Sequence, residues 1–365
     1  MKRITVLVSN DLVHDQRVRK TCASLQKLGW TPFLVGRMLN QPSPIDRPYP
    51  TKRFKLPFKR GALFYASWTI RTFFFLLFHK TDAIWANDLD TLWPAFLLSR
   101  WKKVPLVYDS HEYFTEAAGL HGRSFQKNVW LAIEKRIFPK LKNVITVNDS
   151  IAKIYSEKYG VDVHVMRNVP ELQSPPEKTS RKQMNLPEDQ FLLILQGAFL
   201  DKDRGAVEAV KAMQMVDDAH LLVIGAGEEH SRAAELRNSL GLEDKVTVLP
   251  KQSYDQLRQY TRLADAGLSL DKGLYFNYLY SLPNKLFDYI HAGIPVIVSD
   301  LPEVGKVVKD HGLGRTIPEV TPEHIAKSIK DMMKDPEGKY VENLEAASKK
   351  FHWEEESKVI GKLLN

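Results

Sequence analysis

Cysteine is almost absent from this chain, which restricts both its covalent chemistry and its compartment. Cys22 is the single cysteine among 365 residues, so no internal disulfide can form and no metal site can be built on several cysteines. A reducing cytoplasm fits this composition, and we expect Cys22 to be an inert core residue. Zinc-ligand spacings and nucleic-acid-binding modules are also lacking, so neither a metal site nor a nucleic-acid partner is predicted.

Long hydrophobic runs are lacking as well. The longest, the apolar part of "TFFFLLF" at 72–78, is far too short to span a bilayer. No signal peptide is visible, because "ITVLVS" reads as a strand almost from Met1. What the chain has instead is a formal net charge of +8, which suits an anionic ligand or an anionic membrane surface. We therefore expect a cytoplasmic protein, with peripheral contact at the inner face of the membrane as an added possibility.

Strand-like and helix-like segments alternate along the chain, beginning with "ITVLVS" and the helical pattern "RVRKTCASLQKLG". This alternation predicts doubly wound parallel sheets of the α/β class. It stops at "ELQSPPEKTSRKQMNLPED", a polar, proline-bearing stretch that is typical of a linker, and restarts at "FLLILQG". We therefore predict a first domain over 1–170, a linker over 171–189, a second domain over 190–350, and a C-terminal helix over 351–365 that packs back on the first domain.

The stretch "SLPNKLFDYIHAGIPVIVSD" at 281–300 reads as a short helix followed by a buried strand. Ser281 is predicted to cap the helix, and the spacing of Asn284, Lys285 and Asp288 places them near one face at its front. The helix N-terminus and Lys285 together suit an anion, and Asp288 could accept hydrogen bonds from hydroxyls beside it. Phosphate next to sugar hydroxyls suggests a nucleotide, although a solvated face with one Lys–Asp pair fits equally well.

Ligands of open α/β sheets bind at the carboxyl ends of the strands, so the loops there are the next candidates. The first such loop has no G-x-G-x-x-G, which argues against a dinucleotide site. Arg17 could meet an anion there, but a salt bridge with Asp15 is favoured. Asp88, in "NDLD", is read as a helix cap rather than a metal ligand. His111 and Glu112 follow "PLVYDS", and a functional role is favoured for the histidine.

The loop "LQGAFLDKDRGAVEAV" in the second half places Lys202 and Arg204 just before a helix. Gly205 would let backbone N–H groups approach a ligand there. Basic residues at this junction form a plausible diphosphate clamp. By contrast, "VIGAGEEH" has His230 where a third glycine would stand, and is read as a turn.

These segments together resemble the retaining glycosyltransferases of the GT-B fold, close to glycosyltransferase family 4. In the first half, "HDQRVRKTCASLQKLGW" is similar to the family's opening helix with its Asp-x-Arg-Val signature, and "PLVYDSHEYFTE" is similar to another family segment. In the second half, "LQGAFLDKDRGAVEAVKAM" and "YSLPNKLFDYIHAGIPVIVSD" are the most specific matches. The resemblance covers almost the whole chain and implies two Rossmann-like lobes facing a cleft.

The resemblance also implies roles for individual residues. The donor is a nucleoside-diphosphate sugar, a co-substrate rather than a cofactor, and no metal is implied. Arg204 and Lys285 would neutralise the diphosphate, Asp288 would hold the ribose, and His111 would contact the donor sugar near its reactive carbon. The predicted catalytic residues are His111, Arg204 and Lys285. The predicted donor-binding set is Arg204, Gly205, Ser281, Asn284, Lys285 and Asp288, and the acceptor-side set is Asp15, Arg17, Asp88 and Glu112.

The sequence departs from the family pattern at one important place. Many members carry Glu, seven residues, then Glu, where this chain has Tyr280 and Asp288. A tyrosine in place of the first glutamate implies a different sugar, a shifted loop or lost activity, with Asp271 and Asn277 as possible replacements. A second basic residue of the diphosphate loop is also missing, because Ala198 stands at its position.

The acceptor is expected to be a saccharide or a lipid-linked saccharide, in envelope polysaccharide or glycolipid synthesis. Residues 51–80 join a basic stretch to an aromatic helix. The basic residues over 52–60 are predicted to contact an anionic membrane, whereas the aromatic and leucine side chains are expected to pack under the first sheet: Phe73, Phe74, Leu77 and Phe78.

Two other functions stay open at this stage. A sugar-nucleotide epimerase or hydrolase of the same fold would need carboxylates beside the sugar in the first lobe, and the sequence shows no clear set. A non-catalytic sugar-nucleotide-binding protein is suggested by Tyr280. The sugar, the base, the acceptor and the oligomeric state are not determined by the sequence.

Overall fold

The computed structural model describes residues 2–13, 15–39, 44–117, 120, 122–172 and 179–364. The chain forms two compact units, of which the first is Met1–Asn168 with Glu356–Asn365 and the second is Val169–Glu355. The domain boundaries drawn from the sequence stay predictions, and residues 173–178 of the predicted linker lie outside the described residues. A short 3-10 turn over Lys182–Met184 precedes the first strand of the second unit.

The first unit is built on a seven-stranded parallel sheet with the order β3-β2-β1-β4-β5-β6-β7. Its central strands are runs of buried aliphatic residues, as expected for a sheet covered on both faces. The direction of winding reverses between β1 and β4, which is where such sheets bind ligands. The strands are β1 (Lys2–Asp11), β2 (Trp30–Arg37), β3 (Thr51–Phe54), β4 (Ala83–Asn87), β5 (Leu106–Ser110), β6 (Asn143–Thr146) and β7 (Val163–Val165).

Helices connect the strands of the first unit. The side chain of Asp15 caps the first of them by accepting from the Val18 N–H at 2.9 Å, and Asn148 caps the fifth in the same way. The helices are α1 (Gln16–Lys27), α2 (Gly61–Phe78), α3 (Leu89–Lys102), α4 (Ser124–Ile137), α5 (Asp149–Tyr159) and, near the end of the chain, α15 (Lys358–Leu364). Ile360 and Leu364 of α15 are buried.

The second unit repeats this plan with a six-stranded parallel sheet of order β10-β9-β8-β11-β12-β13. Winding reverses between β8 and β11, and the core lies between these strands and the helices over Ala206–Ala212 and Pro322–Met333. The strands are β8 (Phe191–Gly197), β9 (Ala219–Gly225), β10 (Val246–Pro250), β11 (Ala266–Ser269), β12 (Val296–Ser299) and β13 (Gly314–Ile317).

The helices of the second unit are short. They are α6 (Ala206–Ala212), α7 (Glu228–Ser239), α8 (Tyr254–Leu263), α9 (Phe276–Leu279), α10 (Asn284–Ala292), α11 (Val304–His311), α12 (Pro322–Met333), α13 (Val341–Lys350) and α14 (Trp353–Glu356). The stretch "VIGAGEEH" is the end of β9 and the start of α7, joined by Gly227 with φ 115°.

Helix α2 corrects one expectation from the sequence. Phe74 and Phe78 do not pack under the sheet, because they are 54% and 80% exposed. The buried stripe consists instead of Phe64, Trp68, Thr72 and Leu76. An apolar run that continues around the whole helix cannot specify its buried face. Among the residues that the structure describes, α2 is long and apolar enough to cross a membrane by length and composition alone.

Candidate functional site

The front of α10 differs from the sequence-based expectation. The helix begins at Asn284 with Pro283 as its N-cap, and no side chain caps it. Ser281 therefore does not act as the cap, because it lies two residues too early. Its hydroxyl donates instead to the Asp271 carboxylate at 3.4 Å. The helix ends at Ala292, and Gly293 follows as its C-cap in the left-handed conformation with φ 77°.

Arg204 and Lys285 meet at one buried carboxylate. Arg204 Nη1 lies 2.6 Å from Asp271 Oδ2, and Lys285 Nζ lies 3.8 Å from Asp271 Oδ1. The Arg204 guanidinium also stacks over the ring of Tyr278, 4.1 Å from its centroid. We call Arg204, Lys285, Asp271 and Ser281 the cation cluster. It brings together three of the predicted donor-binding residues.

Burial disfavours the charged form of Lys285. Its side chain is 9% exposed, and burial lowers the pKa of its ammonium group although Asp271 opposes this. Two cations share one carboxylate, so the cluster has a net charge of +1 when Lys285 is protonated. A buried excess of positive charge is costly unless an anion completes it.

Gly205 has a packing role in the structure. Its φ is +78°, and a Cβ there would lie 2.5 Å from the Cβ of Leu270, so no other residue fits. The neighbouring backbone N–H groups of Asp203 and Ala206 donate to the buried carboxylate of Glu229 at 2.8 and 2.9 Å. The start of α6 is thus already occupied by Glu229, which the sequence analysis did not single out.

Asp288 faces a different cavity of the same unit. It accepts hydrogen bonds from Gln196 Nε2 at 3.4 Å and from the Tyr254 hydroxyl at 3.5 Å. Thr261 fixes Gln196 by donating to its amide oxygen at 2.7 Å. Arg258, beside Tyr254 on α8, lines the cavity with them. Lys285 and Asp288 are therefore one turn apart on α10 but contact two different groups of side chains. Asn284, at the start of the helix, is exposed.

His111 is the centre of the polar site in the first unit. It follows the last residue of β5, and its backbone N–H donates to Asp88 Oδ1 at 2.8 Å. Its ring nitrogens lie 3.5 Å from Asp88 Oδ2 and 3.6 Å from Asp109 Oδ2. Burial alone would lower the pKa of His111, but the two carboxylates outweigh it and raise the pKa to about 9. The imidazole is therefore protonated at neutral pH.

Arg17 anchors this site from α1. Its guanidinium binds Asp109 through Nη2 at 2.6 Å and Nε at 3.2 Å, a bidentate pair with a nearly inaccessible carboxylate. Burial opposes ionisation of Asp109, but Arg17 and then His111 lower its pKa to about 2. The predicted Arg17–Asp15 salt bridge is wrong, because Asp15 caps α1 and accepts from Asn10 Nδ2 at 2.6 Å.

Two further carboxylates surround the histidine. Burial, followed by repulsion from Asp88, raises the pKa of Asp90 and of Glu112 to about 7 each. Asp90 also accepts a hydrogen bond from Ser9. We call Asp88, Asp90, Asp109 and Glu112 the acidic cluster. Its existence overturns the expectation that the first lobe holds no clear set of carboxylates.

Asp88 does not act as the expected helix cap. It occupies the N-cap position of α3 with φ 60°, but its side chain makes no cap hydrogen bond and faces His111 instead. Asp109 was missed by the sequence analysis, and Asp90, which belongs to the same "NDLD" turn as Asp88, was interpreted only as a capping residue. A charged residue inside the apolar strand "LVYDS" was the available signal for Asp109. Within the described ranges, no group of three His, Cys, Asp or Glu residues is arranged to hold a metal ion.

Tyr280, which stands at the family's first glutamate position, ends α9 and contacts the ring of Phe276 with centroids 4.9 Å apart. Of its two suggested replacements, Asp271 is the carboxylate of the cation cluster and binds Arg204. Asn277 lies within α9 and is half-buried. The departure from the family pattern is thus local to α9, beside the stacked Tyr278.

Two family models match this chain, one in each half. The one described as "Glycosyltransferase Family 4" matches residues 16–171, and the one described as "Glycosyl transferases group 1" matches residues 176–351. Together the matches cover both polar sites and every strand of the two sheets except β1 (Lys2–Asp11). The chain is therefore a glycosyltransferase of the GT-B fold that is similar to family 4.

Solved structures agree with this fold. The sucrose-phosphate synthase of Thermosynechococcus elongatus has a TM-score of 0.79 at 18% identity, over 100% of this chain and 98% of that one. Anabaena HepE, solved in complex with UDP and glucose, has a TM-score of 0.75 at 16% identity, over 100% and 99% of the two chains. At such identities the likeness shows the GT-B fold alone.

One curated relative matches over a limited stretch. The lipopolysaccharide core biosynthesis glycosyltransferase LpsD of Rhizobium meliloti (strain 1021) is 28% identical over 98 residues. That stretch is 27% of this chain and 28% of the relative.

Proposed function

We propose that this protein transfers a sugar, with retention of configuration, from a nucleoside-diphosphate sugar to a hydroxyl of a saccharide or lipid-linked acceptor. The supporting observation is the cation cluster, in which Arg204 and Lys285 share the Asp271 carboxylate near the carboxyl ends of β8 and β11. Such an arrangement suits the diphosphate of the donor. The activity is placed in cell-envelope polysaccharide or glycolipid synthesis, in line with the role of LpsD in lipopolysaccharide core biosynthesis.

Charge develops on the leaving diphosphate as the bond to the sugar breaks. Arg204 and Lys285 are preorganised to stabilise it, since Asp271 already orients both of them. Burial makes each contact stronger than it would be in water. We therefore propose that these side chains carry the phosphate charge without a metal ion.

The ribose is assigned to the cavity beside Asp288. Its carboxylate can accept from two hydroxyls, and Gln196 and Tyr254 keep it in place. Asp288 is one helical turn beyond Lys285, which matches a nucleoside that continues from its diphosphate. Aspartate reaches less far than the glutamate usual in the family, so the half-exposed Tyr254 is a suitable neighbour for completing this contact.

His111 is assigned the contact with the donor sugar that the family resemblance implies. As an imidazolium between Asp88 and Asp109 it can only donate hydrogen bonds. A front-face reaction, in which the leaving phosphate helps to deprotonate the acceptor, needs no protein nucleophile. We therefore assign none, and place Asp15, Arg17, Asp88 and Glu112 on the acceptor side.

The first experiment is a thermal-shift screen of the purified chain with UDP-, GDP-, ADP- and dTDP-sugars. HepE was solved with UDP and glucose, so UDP-sugars are the first class to test. Stabilisation by one class, lost in Arg204→Ala and in Lys285→Ala, is the expected result. Arg237→Ala, on the exposed side of α7, should behave as the wild type. No shift with any nucleotide sugar would contradict the proposed donor site.

A sugar-nucleotide epimerase or hydrolase is the second candidate, and the acidic cluster favours it. Carboxylates with raised pKa, such as Asp90 and Glu112, suit proton transfer near neutral pH. NMR of the donor incubated without acceptor separates the two functions. An epimerised or rapidly hydrolysed donor would favour this candidate, whereas binding with no turnover under any condition would favour a non-catalytic protein, as Tyr280 suggests.

A further inference from the structure

Helix α2 carries an exposed apolar stripe opposite its buried one. Leu63, Ile70, Phe74 and Phe78 are among the most exposed large apolar side chains of the first unit. The last three are four residues apart, so they project from the same side of the helix. The sheet does not cover this stripe, and α2 is anchored without it through Phe64 and the other buried positions.

Helix α3 packs against α2 and carries a second stripe of the same kind. Trp93, Leu97 and Trp101 are again four residues apart, and across both helices the exposures range from 44% to 80%. The Lys102 ammonium lies 5.4 Å from the Trp101 ring centroid and donates to the Leu77 carbonyl at 3.1 Å. The two stripes therefore meet at the C-terminal ends of the helices. We call them together the aromatic face.

The charges around the aromatic face are mostly positive, and the exposed Asp82, which lines a cavity with Lys80 and Lys102, is an exception. Residues 51–80 contain seven lysines and arginines and no aspartate or glutamate. On α3 the exposed charged residue is Arg100, followed by Lys103, and the single carboxylate of the helix, Asp90, is buried. A second copy of this face would bring like charges together, whereas an anionic lipid surface would complement them.

We propose that the aromatic face docks on an anionic membrane, with α2 and α3 lying along its surface. Exposed tryptophan and phenylalanine side chains flanked by arginine and lysine are typical of such contacts. Helix α2 does not leave the domain to span the bilayer. Trp68 is fully buried and contacts Phe54 of β3 with centroids 6.0 Å apart, so extraction of the helix would dismantle the sheet packing.

The position of α3 connects this surface with the acceptor. The helix begins at Leu89, between Asp88 and Asp90 of the acidic cluster. Trp93 follows about one turn later, roughly 6 Å along the axis at 1.5 Å per residue. A membrane-held, lipid-linked acceptor would therefore be presented one helical turn from the acidic cluster. The presentation of an acceptor rests on the proposed function, whereas the docking of the aromatic face on a membrane does not.

The test is sedimentation of the full-length protein with vesicles, without any nucleotide. We expect binding to phosphatidylcholine vesicles that contain phosphatidylglycerol, and weak binding to phosphatidylcholine alone or at high salt. A Phe74→Ser, Phe78→Ser, Trp101→Ser triple variant should bind about tenfold more weakly or worse. Removing Arg71 or Arg100 by substitution with glutamine should cost about fivefold each.

Matched controls lie on other helices. Val341→Ser removes a comparably exposed apolar side chain from α13, and Lys153→Gln removes an exposed charge from α5. Both should bind vesicles as the wild type does. Melting temperatures of all variants verify that they are folded.

Three results would overturn the proposal. The first is equal binding by the wild type and the triple variant, or no binding by either. The second is a dimer in light scattering that the triple variant abolishes, which would assign the face to a second copy. The third is binding that resists both high salt and alkaline extraction, which would indicate insertion of α2. Nucleotide-sugar binding is measured separately, so a failure of the donor site would not be mistaken for any of these.

Discussion

The two polar sites occupy equivalent places in the two sheets, yet their charges are opposite. In the first unit, four carboxylates surround His111 and Arg17. In the second, Arg204 and Lys285 surround the single carboxylate of Asp271. Topology therefore determines where a site lies, whereas the residues at the strand ends determine what it binds.

The two sites also reach neutrality differently. The acidic cluster can hold protons, because burial raises the pKa of Asp90 and Glu112 to about 7. The cation cluster has no such route through Arg204, since a guanidinium does not lose its proton in proteins. Lys285 can lose its proton, since burial lowers its pKa. An anion beside it favours the charged form, which is why the diphosphate is assigned to the second unit.

The sharpest test of this contrast removes the permanent charge of the cation cluster. Arg204→Ala should lower kcat/KM for glycosyl transfer by about 100-fold or more, because a preorganised contact to the leaving diphosphate is lost. Arg204→Lys keeps the charge but loses the planar stacking on Tyr278. Its kcat/KM should therefore lie between those of the wild type and Arg204→Ala. Steady-state kinetics and nucleotide titrations provide the measurement.

Arg237→Ala is the control for that experiment, since Arg237 lies on α7 and its guanidinium donates to the side chain of the neighbouring Asn238. If Arg204→Ala retained wild-type donor affinity, the contrast between an acidic site and an anion site would fail.

The corresponding change in the first unit is His111→Gln, which replaces the histidine beside the acidic cluster. We expect kcat to fall by about tenfold or more, as for the loss of a charged hydrogen-bond donor at the reacting sugar. The charge of His111 also stabilises the fold by about 3 kcal/mol below its unfolded pKa near 6.5. Because its folded pKa is raised to about 9, this contribution should decline from pH 6.5 and vanish above pH 9.

Chemical denaturation of the wild type and His111→Gln across that pH range measures the second effect. The stability difference between them should shrink as the pH rises. A difference that grew with pH, or stayed constant, would show that Asp88 and Asp109 do not hold a charged imidazole.

Lys285→Met tests whether the cation cluster is maintained for a ligand rather than for stability. Burial lowers the pKa of Lys285, so the charged form destabilises the fold, and methionine fills a similar volume without a charge. We expect an unchanged or higher melting temperature together with donor binding that is about tenfold weaker. Loss of stability without loss of binding would make Lys285 a structural residue.

The sequence was sufficient to predict the fold and the neighbouring positions of the polar residues on α10. Lys285 and Asp288 lie three positions apart on this helix, so local spacing predicts their proximity. Arg17 and Asp109 are 92 positions apart, and no local pattern joins them.

Burial inside apolar segments was the other source of error. Asp109 sits within a buried strand, where its charge depends on Arg17 from a distant helix. In α2, Phe74 and Leu76 have similar hydrophobicity, yet the sheet buries only Leu76. In both cases the decisive partner is supplied by tertiary packing, which a single sequence window does not contain.

The smallest expected effect concerns the protons of the acidic cluster. Near pH 4, Asp90 is protonated in the folded chain, and it begins to ionise in the unfolded chain at its ordinary pKa of about 3.9. Between there and its folded pKa of about 7, only the unfolded chain releases the proton, so the fold loses stability as the pH rises. Asp90→Asn cannot ionise and keeps an oxygen that can accept from Ser9. It should therefore match the wild type near pH 4 and exceed it above pH 7, by about 1 kcal/mol or more.

Urea denaturation at several pH values measures this difference. Asp217→Asn is the control, because its carboxylate is 91% exposed and its ion pair with Lys245 at 3.0 Å is weakened by water. Its stability difference from the wild type should stay small over this range. If Asp90→Asn were less stable than the wild type at pH 8, the carboxylate would be ionised and stabilised there. The acidic cluster would then hold permanent negative charge, and the first unit would need a cationic or hydroxyl-rich ligand to balance it, just as the second unit needs an anion.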